Sequence, residues 1–487
     1  MPMDNFVLYN GGYRVLSGYI PFTDYWLVTG PLLDYLNAFF FYINGVSWSS
    51  YIIHSSLFNS ILAITTFYLF LNLGLKEIFA FMYSVFVSIL FYPTVGTPFV
   101  DHHATFFLLI AFYFFIFWLN KNNFYYILFI PILFCLAFLS KQTPTAYGII
   151  AFCPIILTYL LLNKEKSLKI ITFFGAGSII SIIFLIFFFY FTKIKIINFY
   201  DQYILFASSI GEFRFSNYQF KIIDNILEYK FIFILLTTIA IFFIKMLKNK
   251  NKNLNNIFII FTVITMTSVL VFHQYYTLNQ NYIFFLIPFL TGIFHIFYSR
   301  FFKQKFLLIL IISLCIFTII KYHIRFNENR KFNELEKVNI ELAVDAVELT
   351  DDLKGLKWIT FLYPKNPKQE IKNLKEVMAI ILKEKSNMTL ITDYQFIAPA
   401  LKIYDFSPNQ WHHPMVSFPI KNQKYHEKYK NFFLQNLKHN KIDVIYETTK
   451  DNNTITELVI NKECLIKKRI TKILIRFEIK KQCKDFQ

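Results

Sequence analysis

What the sequence lacks narrows its reading first. It holds no Gly-rich loop of the Walker or Rossmann type, so nothing in it announces a nucleotide site. Charge is scarce: Asp, Glu, Lys and Arg make up 16% of 487 residues. The net charge of +18 comes without a basic-aromatic groove pattern, which argues against nucleic acid as a partner. Cysteine is limited to five residues. Cys135, Cys153 and Cys315 fall in apolar runs and read as small hydrophobes. Cys464 and Cys483 lie in a polar tail and can pair there if that tail faces an oxidising compartment. No basic n-region and no apolar h-region precede the first loop, so no cleavable signal peptide is visible. Either that loop is presented by the span that follows it, or a further helix lies upstream.

What is present is apolar. The composition is 55% hydrophobic with 62 Phe residues, and the mean hydropathy is +0.44. These values place the chain among polytopic membrane proteins. Apolar runs near bilayer length recur at 50–73, 77–95, 104–119, 124–140, 145–163, 168–192, 230–247, 256–275, 282–299 and 305–321, which predicts about ten transmembrane helices. Segment 30–45 is shorter, follows Gly30-Pro31 and contains Asp34 and Asn37, so it reads as re-entrant or interfacial. The basic loops 163–169, 245–256 and 299–305 fall on one side, the cytoplasmic one by the positive-inside rule. The other face then receives the N-terminal loop, the turns 93–103 and 140–144, the loop 193–229, the turn 273–281 and everything after 321. A multi-pass protein of the cell (inner) membrane with an extracytoplasmic tail is the expectation.

Three domains follow. Residues 1–49 form an exterior loop with short amphipathic or interfacial helices, too interrupted by Asp4, Arg14, Asp24, Asp34 and glycines to span. Residues 50–321 form the transmembrane helical bundle. Residues 322–487 are polar and predict an α/β domain: helix at 365–385, strand at 388–393, helix at 425–441, strand at 442–447, and a closing hairpin from 454–460 and 469–479.

The N-terminal stretch carries an ordered set of features. Asp4 opens an aromatic-rich amphipathic helix ending in Gly18. A Pro21-Phe22-x-Asp24 turn follows, then Gly30-Pro31 and an apolar helix closing at Gly45. This order resembles the first exterior loop of the GT-C superfamily of integral membrane glycosyltransferases, in its mannosyltransferase-like and Rgt-like branches. The resemblance covers the loop, and it extends to the following spans by hydropathy alone. It implies a GT-C-like helical fold and transfer of a sugar from a polyprenyl-phosphate donor to a lipid or cell-envelope glycan acceptor. It also implies a catalytic role for the loop's first acid, Asp4. A lipid phosphate as leaving group needs no nucleotide site.

Such chemistry needs a carboxylate to take the acceptor's proton, and a cation or a divalent metal to stabilise the departing phosphate. No metal is certain. Asp4 is the first choice for base, against a plain solvated residue near the terminus. Asp101, His102 and His103 sit between two spans and can ligate a metal or position a proton, although contiguous ligands seldom all reach one ion. Asp101 forms the preferred acid pair with Asp4, or alternatively caps the next helix. Lys141 and Gln142, at a span end, can meet the donor phosphate or serve as a snorkelling anchor. Arg14 can fork onto phosphate oxygens or pair with Asp24 or Asp34. His273, Tyr275 and Gln280 can meet sugar hydroxyls or anchor the interface. Trp26 and Trp48 read as belt residues. The turn-rich stretch 406–419, with Trp411, His412 and His413, reads as a loop leaning on the membrane face or covering the acceptor site. The alternative classes are a transporter or lipid-linked-glycan flippase, which should show internal repeats and charges inside the bundle, and a non-enzymatic envelope assembly factor.

Overall fold

The computed structural model describes residues 3–217, 226–248, 253–277, 282–302, 305–331, 333–451 and 454–483. Helices dominate. Among the described residues, nine are long and apolar enough to cross a membrane, from Trp48–Asn72 to Phe306–Glu328. The tenth expected run forms a helix of 16 residues, Tyr125–Ser140. The chain is an α-helical, multi-pass membrane protein with a small mixed α/β region near its C-terminus.

It divides into two compact units. One comprises Ser55–Phe188 and Asn217–Phe332 and holds most of the apolar helices. Val100–Lys121 and Tyr282–Phe301 are its interior helices, 94% buried over their most apolar stretch, whereas Lys164–Thr192 is buried over only 17%. The exposed face of that last helix is a stripe of Ile179, Ile183, Ile186 and Phe187, the surface expected to meet acyl chains. Gly177 lets this helix come close to Tyr125–Ser140: a Cβ there would stand 2.0 Å from the Leu128 carbonyl oxygen. Small residues at such crossings are how apolar helices approach one another in lipid.

The other unit gathers Met1–His54, Phe189–Ser216 and Asn333–Gln487. The N-terminal stretch thus belongs with the tail, a grouping that differs from a division at 49 and 321. Its helices are Asp4–Leu16 and Leu32–Asn44. Asp4–Leu16 is not a half-exposed amphipath, because Asn5 through Gly12 and Arg14 are all buried. Gly11 and Gly12 sit mid-helix, where each costs about 1 kcal/mol against Ala. They are needed because a Cβ on Gly12 would fall 2.4 Å from Asn37 Cβ. Residues 193–229, expected as a loop, contain a helix Ile196–Phe199, a π-helical turn Tyr200–Phe206 and a helix Ala207–Asn217.

Among its described residues the tail has six short strands: β1 (Val344–Asp345), β2 (Lys357–Trp358), β3 (Met388–Ile391), β4 (Val444–Thr448), β5 (Leu465–Arg469) and β6 (Leu474–Ile479). The first two pair antiparallel. The others form one sheet in the order β3-β4-β6-β5. Only β3 and β4 run parallel, and the helix His426–His439 lies in the connection that this direction requires. Helices Pro367–Lys383 and His426–His439 and strands β3 and β4 fall where the sequence predicts them. The hairpin is shifted. Its arms are β5 and β6, and Ile455–Val459 is a short helix. The reason lies in Glu447 of β4, whose carboxylate accepts from the Ile455 and Thr456 amides and from the Thr456 hydroxyl. It thereby satisfies the helix's first-turn donors. Cys464 and Cys483 form a disulfide. Trp26, expected in an interfacial belt, is instead buried in this core beside Phe206, Tyr429 and Phe433.

Candidate functional site

In the unit that contains the tail, Asp4 lies in the first turn of Asp4–Leu16. Its Oδ1 is 3.5 Å from His413 Nε2. Both side chains remain accessible, at 33% and 52%. The hydrogen bond that His413 donates to Asp4 holds its imidazole above its ordinary pKa. Adjacent His412 is buried and is pushed down to about 3. The pKa values of these neighbouring rings are therefore moved in opposite directions, down by burial for His412 and up by a carboxylate for His413. Glu334 joins the pair: its Oε2 accepts from the Met3 amide, and burial followed by the Asp4 charge raises its carboxyl to about 7. The sequence places Asp4 and His413 as separate candidates. Glu334, which sits in a run of charged residues without a distinguishing pattern, it does not single out.

Behind this pair the helix is tied to the tail by buried polar contacts. Arg14 donates from Nε and Nη2 to Asp405 Oδ2, at 3.1 and 2.6 Å, and from Nη1 to the Asn409 carbonyl oxygen. Its guanidinium stands 5.0 Å from the Tyr25 ring centre. Arg14 is 1% exposed, so it is a buried strut paired with Asp405 rather than with Asp24 or Asp34. Asn10 reinforces it through Asp405 Oδ2 and Gln395 Oε1. Asp34 accepts from Tyr25 Oη and from Gln410 Nε2, and burial lifts its carboxyl to about 7. Asp24 accepts from the Ile20 amide and closes the turn after Gly18.

In the unit that holds most of the apolar helices, a second cluster forms. Asp101 receives Lys141 Nζ on both oxygens at 2.7 Å and His273 Nε2 at 3.0 Å. Asp101 and His273 are buried, and Lys141 is 16% exposed. Asp101 thus engages a lysine from the extended junction between Tyr125–Ser140 and Gln142–Leu162 and a histidine from the helix Leu254–Thr277. His102 is packed among the Phe91, Tyr92 and Tyr282 rings. His103 Nδ1 is 3.1 Å from Tyr92 Oη. Gln142 begins the helix Gln142–Leu162, and the Tyr275 ring packs tilted against Tyr229, with centres 5.3 Å apart. Gln280 lies outside the described residues.

Among the described residues, no group of three or more His, Cys, Asp or Glu side chains is arranged to hold a metal ion. Asp4 and Asp101, expected to act together, belong to different units. The Asp4–His413 pair presents an accessible carboxylate beside an imidazole, an arrangement that can act as a general base. No protein-family model matches the chain, and no curated protein sequence does so either.

Proposed function

We propose that the chain is a membrane glycosyltransferase that moves a sugar from a polyprenyl-phosphate donor to a lipid or cell-envelope glycan acceptor. The observation that carries this reading is the accessible Asp4 carboxylate within reach of His413, at the position the GT-C-like loop assigns to the catalytic acid. Asp4 takes the acceptor hydroxyl's proton as that oxygen bonds to the anomeric carbon. The bond from the anomeric carbon to the phosphate oxygen breaks, and the lipid phosphate departs with the electron pair. His413 is a positioning residue that orients the Asp4 carboxylate. The Cys464–Cys483 disulfide supports an oxidising, extracytoplasmic setting for the tail.

A transporter or flippase is the second reading. It is favoured by the buried Asp101–Lys141–His273 cluster, because ionisable groups kept within apolar helices often mark a transport path. Purified full-length protein in lipid, given radiolabelled polyprenyl-phosphate sugar and membrane glycolipid acceptors, separates the two. Transfer that Asp4→Asn abolishes supports the enzyme. Movement of the lipid-linked sugar across the bilayer without cleavage supports the transporter.

A further inference from the structure

We infer that the unit containing the tail carries a saccharide-binding groove, built from the helix His426–His439, the segment 195–202 and the turn 23–26. The groove encloses about 540 Å³, within the range of small-ligand sites. One helix face lines it: Lys428, Asn431, Phe432, Gln435, Asn436 and His439 recur at the three- and four-residue spacing of a single stripe. A soluble helix normally uses such a continuous stripe to meet water or a core, yet here it faces a second polar wall of Lys195, Asn198, Asp201 and Gln202.

Its charge is balanced. Lys428 is ion-paired with Asp201 across the groove, and Asp24 offsets Lys195. A site with paired charges and many carboxamides gives little net attraction to an anion. It offers many donors and acceptors to an uncharged ligand rich in hydroxyls. Part of that capacity is used internally: Asn198 and Gln202 donate to the Phe22 carbonyl oxygen, and Asn436 to that of Asp24. Asn431 and Gln435 are exposed and free to meet a ligand.

A second observation points the same way. Trp26 lines the groove, is 3% exposed, and its indole N–H has no hydrogen-bond partner among the described residues. The Thr23 hydroxyl, also in the lining, is likewise unpartnered. Buried donors are seldom left so, because each costs about 1–3 kcal/mol. A sugar hydroxyl is an acceptor for the first and either partner for the second. This binding stands apart from the transferase reading. The groove as the acceptor's seat rests on that reading.

The test uses full-length protein in detergent with neutral gluco-, manno- and galacto-tetrasaccharides, each free and attached to a lipid, at up to about 10 mM, the range where weak sites saturate. Binding of at least one series is expected, and Asn431→Ala with Gln435→Ala should weaken it about tenfold. Equal binding of free and lipid-linked forms assigns the sugar alone, and a preference for the linked form adds the lipid. No binding of any series, binding untouched by the double variant, or capture of anionic vesicles in place of sugars would overturn the inference. Asp4→Asn should leave binding unchanged even if transfer stops, so the groove and the transferase reading fail separately.

Discussion

His413 Nε2 stands 3.5 Å from Asp4 Oδ1, although most of the chain lies between the two residues. The tail loop therefore supplies the partner of the first acid. Replacing Asp4 by Asn should lower sugar transfer about 100- to 10,000-fold, the usual contribution of a positioned base. Assay of labelled product from a normally inserted variant measures it.

The same pair sets a pH dependence. The folded-state pKa of His413 is raised by Asp4. The stabilisation is fully present below the unfolded histidine value, near about 6.5, and is lost as pH rises through the higher folded value. Thermal unfolding scanned upward from pH 6 should show this loss, and Asp4→Asn should remove it. The His413 ring titration, followed by NMR, should then move down toward its ordinary value.

Glu334 pushes stability in the same direction, through burial of its carboxyl rather than through an added partner. Its folded carboxyl is raised to about 7. Between the ordinary glutamate value and about 7, the folded state keeps a proton that the unfolded chain has released, so stability falls as pH rises through that window. Glu334→Gln should flatten the fall and raise the melting temperature at pH 8.

Lys141 neutralises a carboxylate that is 1% exposed. Lys141→Ala leaves Asp101 buried without its lysine counter-charge. It should cost about 3–5 kcal/mol, as broken buried pairs do. Combining it with Asp101→Asn should recover most of that. Thermal unfolding of the two variants in detergent distinguishes them.

Gly11→Ala gains helix propensity yet should destabilise. The new Cβ would lie 2.2 Å from Asp34 Oδ1 and 2.4 Å from Gln410 Nε2. A net loss of about 1–3 kcal/mol is expected from overpacking. Chemical unfolding monitored by the tryptophans in this unit reads it.

The helical scaffold was legible because bilayer length and apolarity are local properties: each expected run from 50 to 321 contains a helix. The tail helices and strands β3 and β4 were legible from periodicity for the same reason. Partnership was not. Arg14 finds Asp405, Asp34 finds Gln410 and Asp101 finds His273 only through tertiary folding. Nothing in their own neighbourhoods distinguishes these partners from other acids or amides. The helix Ile455–Val459 was missed because its apolar residues suit a strand equally well, and the deciding contact is a glutamate on another element. Segment 196–217 was missed because its polar and apolar residues follow no sustained period.

The strut between Arg14 and Asp405 also constrains biosynthesis. A ribosome releases the cationic helix long before it makes the anion that neutralises it. Until then Arg14 has no reason to leave water, and its helix cannot settle. This unit is therefore completed last, by residues that emerge near the end of translation, and stalling or truncation before Asp405 should leave the beginning of the chain unfolded while the apolar helices already stand in the bilayer.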